Sequence, residues 1–248
     1  MKVVVIGGTG LVGSQVVQLL NEHGHSTVAA APNTGVNTIT GEGLAEALDK
    51  ADVVVDVSNS PSFERDAAIA FFETATGNLL EAEKKAGVKH HVALSVVGTD
   101  ELAPASGYFR AKQVQEELIA KGEIPYTIVH ATQFFEFIKG IVDSATDGDT
   151  VRLAPVYFQP IASADVATAV ARAATNDPVN GITEIAGPQR FRLDELVAGN
   201  LAARQDPRTV ISDPDALYWG AKLAEYTLTP GDDATVLDTH LKDWQAAQ

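Results

Sequence analysis

Hydrophobic and polar positions follow two rhythms over the first half of the chain. Short, nearly continuous apolar runs recur at Lys2–Ile6, Ser26–Ala31, Asp52–Val57, His91–Val97 and Tyr126–Ala131. Such runs suit strands buried on both faces of a parallel sheet, because a half-solvated strand would alternate polar and apolar residues. The segments between them carry helical spacing instead. Leu11–Glu22 places Val12, Val16, Leu19 and Leu20 at i, i+4, i+7 and i+8 and stops near Gly24. Leu44–Leu48 makes a short helix after the Pro32–Gly35 break, Ala67–Ala86 a long one ending at Gly87, and Tyr108–Lys121 turns Ala111, Val114 and Leu118 to one side. Strands alternating with helices imply right-handed crossovers. The predicted fold class is therefore α/β, a doubly wound parallel sheet of Rossmann type.

Beyond about Phe137 the rhythm loosens. Val151–Val156 and Gly181–Ile185 read as strands, Ala164–Ala174 as an alanine-rich helix and Leu193–Ala203 as another. No Ser/Gly linker or charge run sets this part apart. The expected organisation is a core over residues 1–150 and a small C-terminal lobe over 151–248, packed on the same domain.

Composition narrows the chemistry. The 248 residues are 45% hydrophobic and 21% charged, the profile of a globular domain with a full core. A formal net charge of −15 repels phosphate backbones, so nucleic acid is not an expected partner. The absence of cysteine removes disulfides, thiolate nucleophiles and Cys-ligated metals, and fits a reducing compartment. The six histidines show no metal-ligand spacing. Met1-Lys2 leads straight into an apolar strand, and no apolar run approaches the roughly 20 residues of a membrane span. The expectation is a cytoplasmic protein with neither membrane nor nucleic acid as partner; the pattern specifies no oligomeric state.

Gly7-Gly8-Thr9-Gly10-Leu11-Val12-Gly13 follows the first strand directly and opens the first helix. A Cβ on such a turn would collide with a pyrophosphate lying across it, while the free N–H groups and the dipole at the helix start favour negative charge. In this strand-turn-helix context G-x-x-G-x-x-G predicts dinucleotide binding through Gly7, Thr9, Gly10, Leu11, Val12 and Gly13. A carboxylate about 20 residues on would accept the adenosine ribose hydroxyls of NAD. The positions there are Ala29 to Ala31, Pro32, Asn33 and Thr34, with no acid among them, which favours NADP(H) and leaves NAD(H) or dual use as the alternative. The first 64 residues contain no arginine and only Lys2 and Lys50 as basic residues, so a 2′-phosphate would rest on Asn33, Thr34, backbone N–H groups and Lys50, with Pro32 also expected to line the cofactor.

Tyr108-Phe-Arg-Ala-Lys112 sets a phenol and an ammonium at i and i+4, neighbours on one helix face. A cation there would lower the tyrosine pKa and make Tyr108 a proton donor to a carbonyl under reduction. Ser95, in the preceding strand, is placed to orient the same oxygen, so Ser95, Tyr108 and Lys112 form the candidate catalytic set.

With these residues in view, the chain resembles the atypical short-chain dehydrogenases/reductases, in particular the NmrA-like NAD(P)-binding proteins. The carriers are VVVIGGTGLVGSQVV, ADVVVDVSNS, HHVALSVVG, SGYFRAKQVQEELI, YTIVHATQFFE and PIASADVATAV. The resemblance implies that Gly7, Gly10 and Gly13 hold the pyrophosphate, that Ser58, Asn59 and Ser60 line the cofactor, and that Lys112 bonds the nicotinamide ribose. It also implies that Gln133, Phe134 and Phe135 border nicotinamide and substrate. The sequence departs from its relatives at Ala31-Pro32 and His130-Ala131, where they often carry arginine and Arg-Pro.

The aromatic content is denser after residue 130, and Val96, Tyr157 and Trp219 join Phe134 and Phe135 as expected walls of an apolar substrate pocket. His90-His91 is expected to be structural, His130 to sit at the crevice end of its strand, and Asp52 and Asp56 to be hydrogen-bonded loop residues. The expected function is an NAD(P)H-dependent oxidoreductase acting on a hydrophobic ketone or alcohol with Tyr108 as proton donor. The alternatives are a quinone or azo reductase that does not need Tyr108, and a non-catalytic NADP(H)-sensing regulator.

Overall fold

The computed structural model describes residues 1–247. The first half alternates strands and helices: β1 (Lys2–Ile6), α1 (Leu11–Glu22), β2 (Ser26–Ala30), α2 (Leu44–Leu48), β3 (Val53–Asp56), α3 (Arg65–Ala86), β4 (His90–Val96), α4 (Thr99–Leu102), α5 (Gly107–Lys121) and β5 (Tyr126–Ala131). The second half adds α6 (Ile138–Ser144), β6 (Thr146–Asp147), β7 (Thr150–Leu153), β8 (Tyr157–Phe158), α7 (Ser163–Thr175), β9 (Gly181–Ala186), β10 (Phe191–Arg192) and α8 (Leu193–Ala203). It continues with β11 (Thr209–Ser212), β12 (Leu217–Tyr218), β13 (Ala221–Lys222), β14 (Thr235–Val236) and α9 (Leu241–Ala246).

The main sheet runs β14-β9-β5-β4-β3-β1-β2, and every neighbouring pair is parallel. This is the predicted doubly wound architecture. Its two faces follow from the period-2 alternation of side chains. Val3, Val5, Val53, Val55, Val92 and Val129 point to α1 and α7 and pack on Val12, Val16, Leu20, Val166 and Val170. Val4, Ile6 and Val54 point the other way, onto Leu44, Leu48 and Leu79 of α2 and α3. Ala93 and Ile128 meet Ile119 of α5 on that second face.

Residues after 150 divide between two structures. β9 extends the sheet beyond β5 in parallel register, and α7 covers the α1 face. The rest, with α6 and the short strands, builds a cap whose own core includes Phe135, Val151, Phe158, Leu193, Val197, Leu228 and Leu241. This cap also receives Leu102 and Phe109 from α4 and α5. The 98–107 segment is packed: Leu102 and Ala103 are buried, and the Thr227 hydroxyl donates to Glu101 at 2.8 Å.

The paired histidines at the start of β4 lie inside the protein, as a structural role requires. His91 Nδ1 bonds both carboxylate oxygens of Glu83 at 2.8 and 3.0 Å, and both side chains are fully buried. His90 Nε2 meets the Thr127 hydroxyl at 2.9 Å.

Candidate functional site

The strand order places the C-terminal ends of β1, β3, β4 and β5 side by side, with the glycine turn between the β2 edge and β4–β5. Ligands of open α/β sheets bind at this end. A cavity of about 1060 Å³ runs along it.

The glycines of the turn are required for two different reasons. Gly7 has a φ of +77°, and a Cβ there would sit 3.0 Å from the Ser58 nitrogen. A Cβ at Gly8 would approach Ala29 Cα and the Val5 oxygen to 2.7 Å, and one at Gly13 would overlap the Gly7 carbonyl. These three are fixed by the packing of turn, strand and helix. Gly10 is different. It caps α1 with an ordinary φ of −83°, and its Cβ would meet only the Gly7 oxygen, at 3.3 Å. Gly10 lines the cavity together with Thr9, Leu11, Val12 and Gly13. A bare backbone at a helix start, open on the cavity side, fits a pyrophosphate.

At the β2 end the wall is built by Ala31, Pro32, Val36, Asn37, Thr38 and Ile39. Asn78 of α3 holds the 38–39 segment there, donating to the Thr38 and Ile39 carbonyls at 2.8 and 3.0 Å. Of the predicted residues at this end, Pro32 lines the cavity. Asn33 and Thr34 do not. The Thr34 hydroxyl accepts from Ala31 N–H and has the Ala29 and Ala31 carbonyls as acceptors for its one proton, each contact at 2.9 Å, so it is spent closing the turn. Asn33 is exposed and accepts from the Thr9 hydroxyl at 3.2 Å. Ser58 and Asn59 line the cavity after β3, whereas the Ser60 hydroxyl turns to the Ser62 carbonyl at 2.8 Å.

Ser95, Tyr108 and Lys112 all reach the cavity, yet none of the three bonds another. Tyr108 donates to Asn59 Oδ1 at 3.2 Å, and burial pushes its pKa up to about 12 against the pull of that bond. Lys112 Nζ donates to the Leu94 carbonyl at 2.9 Å and to Gln115 Oε1, and lies 4.7 Å from the centre of the Phe72 ring. Burial pulls its pKa down to about 8, although Asp56 and Glu116 act in the opposite direction. The expected lowering of the tyrosine pKa by Lys112 is thus not what the geometry does. Shared helix spacing brings the two Cβ atoms together, but the ammonium turns under the C-terminal ends of the central strands β3 and β4. From there a chain of bonds runs through Gln115 to Asp56 Oδ2 at 2.9 Å, and Asp56 Oδ1 accepts the Ser58 N–H at 2.9 Å. Lys112 therefore braces the β3 and β4 ends of the site.

Ser95 departs from its expected role as well. Strand alternation sets its side chain on the face covered by α5, and its hydroxyl donates to Glu116 Oε1. The same oxygen meets His130 Nε2 at 3.0 Å, so His130 serves this buried cluster.

On the β5 side the wall is aromatic. Phe134 and Phe137 stack at 5.2 Å with 17° between their planes. Gln133 and Thr132 also line the cavity, and the Gln133 amide and the Thr132 hydroxyl are buried with no protein partner. Val96 and Trp219 line it as expected. Phe135 and Tyr157 do not: the first is buried in the cap against Trp244, and the second stacks on Tyr226 beneath Arg192. The chain's turn after β5 sends alternate aromatics in opposite directions. Phe63, Phe71 and Tyr218 join the wall without having been anticipated.

Among the described residues that line the cavity Lys112 is the one charged side chain, so a chain of net charge −15 shows no carboxylate among them. That wall suits an anionic, partly apolar ligand.

Comparison with known proteins agrees with this construction. A sequence family described as NAD(P)H-binding matches residues 7–177. The photosystem II assembly factor Ycf39 of Synechocystis is 27% identical over 228 residues, covering 82% of this chain and 69% of that protein. A short-chain dehydrogenase/reductase superfamily protein from Agrobacterium tumefaciens, solved with bound NAD, superposes with a TM-score of 0.75 at 16% identity, over 100% of this chain and 95% of that one. An NADPH-dependent quinone oxidoreductase from Escherichia coli gives a TM-score of 0.61 at 20% identity, over 86% and 78% of the two chains. No helix among the described residues is long and apolar enough to cross a membrane. The glycine turn, the sheet order and the family match over residues 7–177 together make this chain a member of the NAD(P)H-binding family, with a fold of Rossmann type.

Proposed function

We propose that this protein is an NAD(P)H-dependent reductase of flat, hydrophobic carbonyl compounds, quinones foremost, with NADP(H) preferred over NAD(H). The observation that carries this reading is the flat aromatic wall of Phe134 and Phe137, stacked at 5.2 Å on the cavity that the glycine turn and Tyr108 also line. A nicotinamide dinucleotide bound there would supply the hydride. Gly10 and the first residues of α1 hold the pyrophosphate, and Asp56, Gln115 and Lys112 keep the Ser58 backbone in place beside it. The hydroxyl of Tyr108 faces the acceptor oxygen as a hydrogen-bond donor; a quinone oxygen, stabilised by conjugation once the hydride has arrived, takes its proton from water, whereas a simple ketone would need the proton of the phenol.

A phenol held near 12 with no cation beside it is a weak acid. It suits an acceptor whose reduced oxygen is already stabilised by conjugation, and the stacked rings of the wall suit the same flat shape. The absence of any lining carboxylate supports NADP(H), because nothing at the β2 end repels a 2′-phosphate. A second reading is the reduction of simple ketones, with Tyr108 indispensable; its favouring observation is that the hydroxyl lies on the cavity wall at all.

The test is turnover of NADPH and NADH over panels of quinones and ketones. Quinone turnover with NADPH supports the first reading. Dinucleotide binding with no turnover on either panel refutes both.

A further inference from the structure

The β12–β13 hairpin breaks a local rule. Tyr218 pairs with Ala221 across a two-residue loop, Trp219-Gly220, and both loop residues have positive φ, +48° and +88°. Two-residue hairpin loops of this kind favour asparagine, aspartate or glycine at the first position, since a bulky side chain is strained there. A tryptophan held in such a conformation points to a use for its ring.

The ring lies on the cavity wall. It is 41% exposed and stacks on Phe63, itself 56% exposed, with centroids 5.6 Å apart and planes 18° apart. Phe63 comes from the segment after β3, far from the hairpin in sequence, and it leans on Tyr108 at 5.2 Å. Tyr218 packs on Phe109, one residue beyond Tyr108, at 6.4 Å. Large exposed rings at a cavity mouth leave apolar surface in water until a ligand covers it.

We propose that Trp219 is the specificity-determining residue of the acceptor site: stacked on Phe63, it offers one aromatic face, the acceptor clamp, that selects a flat conjugated ring and presents it beside the Tyr108 hydroxyl. A flat ring gains face-to-face contact from this pair. A puckered aliphatic ketone does not. The inference rests on the reductase reading for its substrate class, and its test is built to fail separately.

The probes are 1,4-naphthoquinone and cyclohexanone, each measured by equilibrium dialysis against the full chain saturated with NADP⁺, so that no turnover occurs. The variants are Trp219→Asn, which supplies a residue the turn favours, and Trp219→Phe. Trp219→Asn should melt no lower than wild type, bind NADP⁺ unchanged and lose naphthoquinone affinity by roughly tenfold or more, while Trp219→Phe stays within about threefold. Cyclohexanone binding should move by less than about threefold in both. Naphthoquinone bound by Trp219→Asn as tightly as by wild type overturns the clamp, and so does an equal loss for both probes. If wild type turns over no quinone but the selective affinity loss appears, the clamp stands and the reductase reading falls. Quinone turnover with an unchanged KM in Trp219→Asn overturns the clamp and leaves the reductase reading in place.

Discussion

Tyr108 and Lys112 occupy one face of the same helix and serve different parts of the site: the phenol donates to Asn59 at 3.2 Å, while the ammonium donates to the Leu94 carbonyl of the central strand β4 at 2.9 Å. The tyrosine is therefore positioned by an amide and left without a neighbouring charge. Replacing it tests what the acceptor demands. Tyr108→Phe should lower kcat/KM for simple ketones by about 100-fold and for quinones by less than about threefold, with NADPH affinity unchanged. Steady-state rates on the two panels check this, and an equal loss on both would show that the quinone oxygen also needs the proton.

The two classes of glycine in the turn separate folding from binding. Gly13→Ala sets a Cβ against the Gly7 carbonyl and should lower the melting temperature severely. Gly10→Ala meets only the Gly7 oxygen, at 3.3 Å, so it should fold nearly as wild type and bind NADPH roughly tenfold or more weakly. Melting curves and nicotinamide fluorescence titrations distinguish them; a fully binding-competent Gly10→Ala would remove the pyrophosphate from that spot.

Ser95→Ala removes a hydroxyl already committed to Glu116. Turnover should then change by less than about threefold, because His130 still partners the carboxylate. A loss of about 30-fold or more would mean that the serine leaves Glu116 for the acceptor during the reaction.

Burial pushes His90 down to about 4, with His91 adding to the effect. Unfolding releases it to an ordinary value near 6.5, so its neutral form favours the native state fully above pH 6.5. That contribution is lost as pH falls from 6.5 through 4. His90→Gln keeps a hydrogen-bonding side chain near the Thr127 hydroxyl but does not titrate. Urea unfolding between pH 7.5 and 4.5 should show wild type losing stability relative to this variant as pH falls, and parallel curves would count against the assignment.

The parts of the site that a reader of the sequence recognises are those whose chemistry is local. The glycine turn is legible because strand, turn and helix are consecutive, and Tyr108, Lys112, Gln133 and Phe134 reach the cavity because they follow strand ends or open a helix. What escapes is direction and distant company. Ser95 is on the right strand, but its hydroxyl is claimed by Glu116 of a helix packed on one face. Phe135 and Tyr157 share the composition of pocket residues, and only the folding of the cap sends them away from it. Phe63 and Trp219 meet through tertiary structure alone, and neither segment carries a motif. Thr34 follows a β2 end without an acid, as a phosphate-contacting residue would, yet its hydroxyl closes its own turn.

The carboxylate-free wall has a kinetic consequence. A polyanionic dinucleotide must cross the outer field of a strongly acidic protein before it reaches a surface that no longer repels it. The barrier therefore lies in the approach, where added salt shortens the reach of the field to roughly 10 Å at 0.1 M. Association of NADPH should speed up as ionic strength rises, the reverse of ordinary electrostatic steering, while dissociation from the interior stays nearly constant. Stopped-flow mixing at several salt concentrations reads both rates, and association that slows with salt would show that Lys112 and the start of α1 already attract the ligand from a distance.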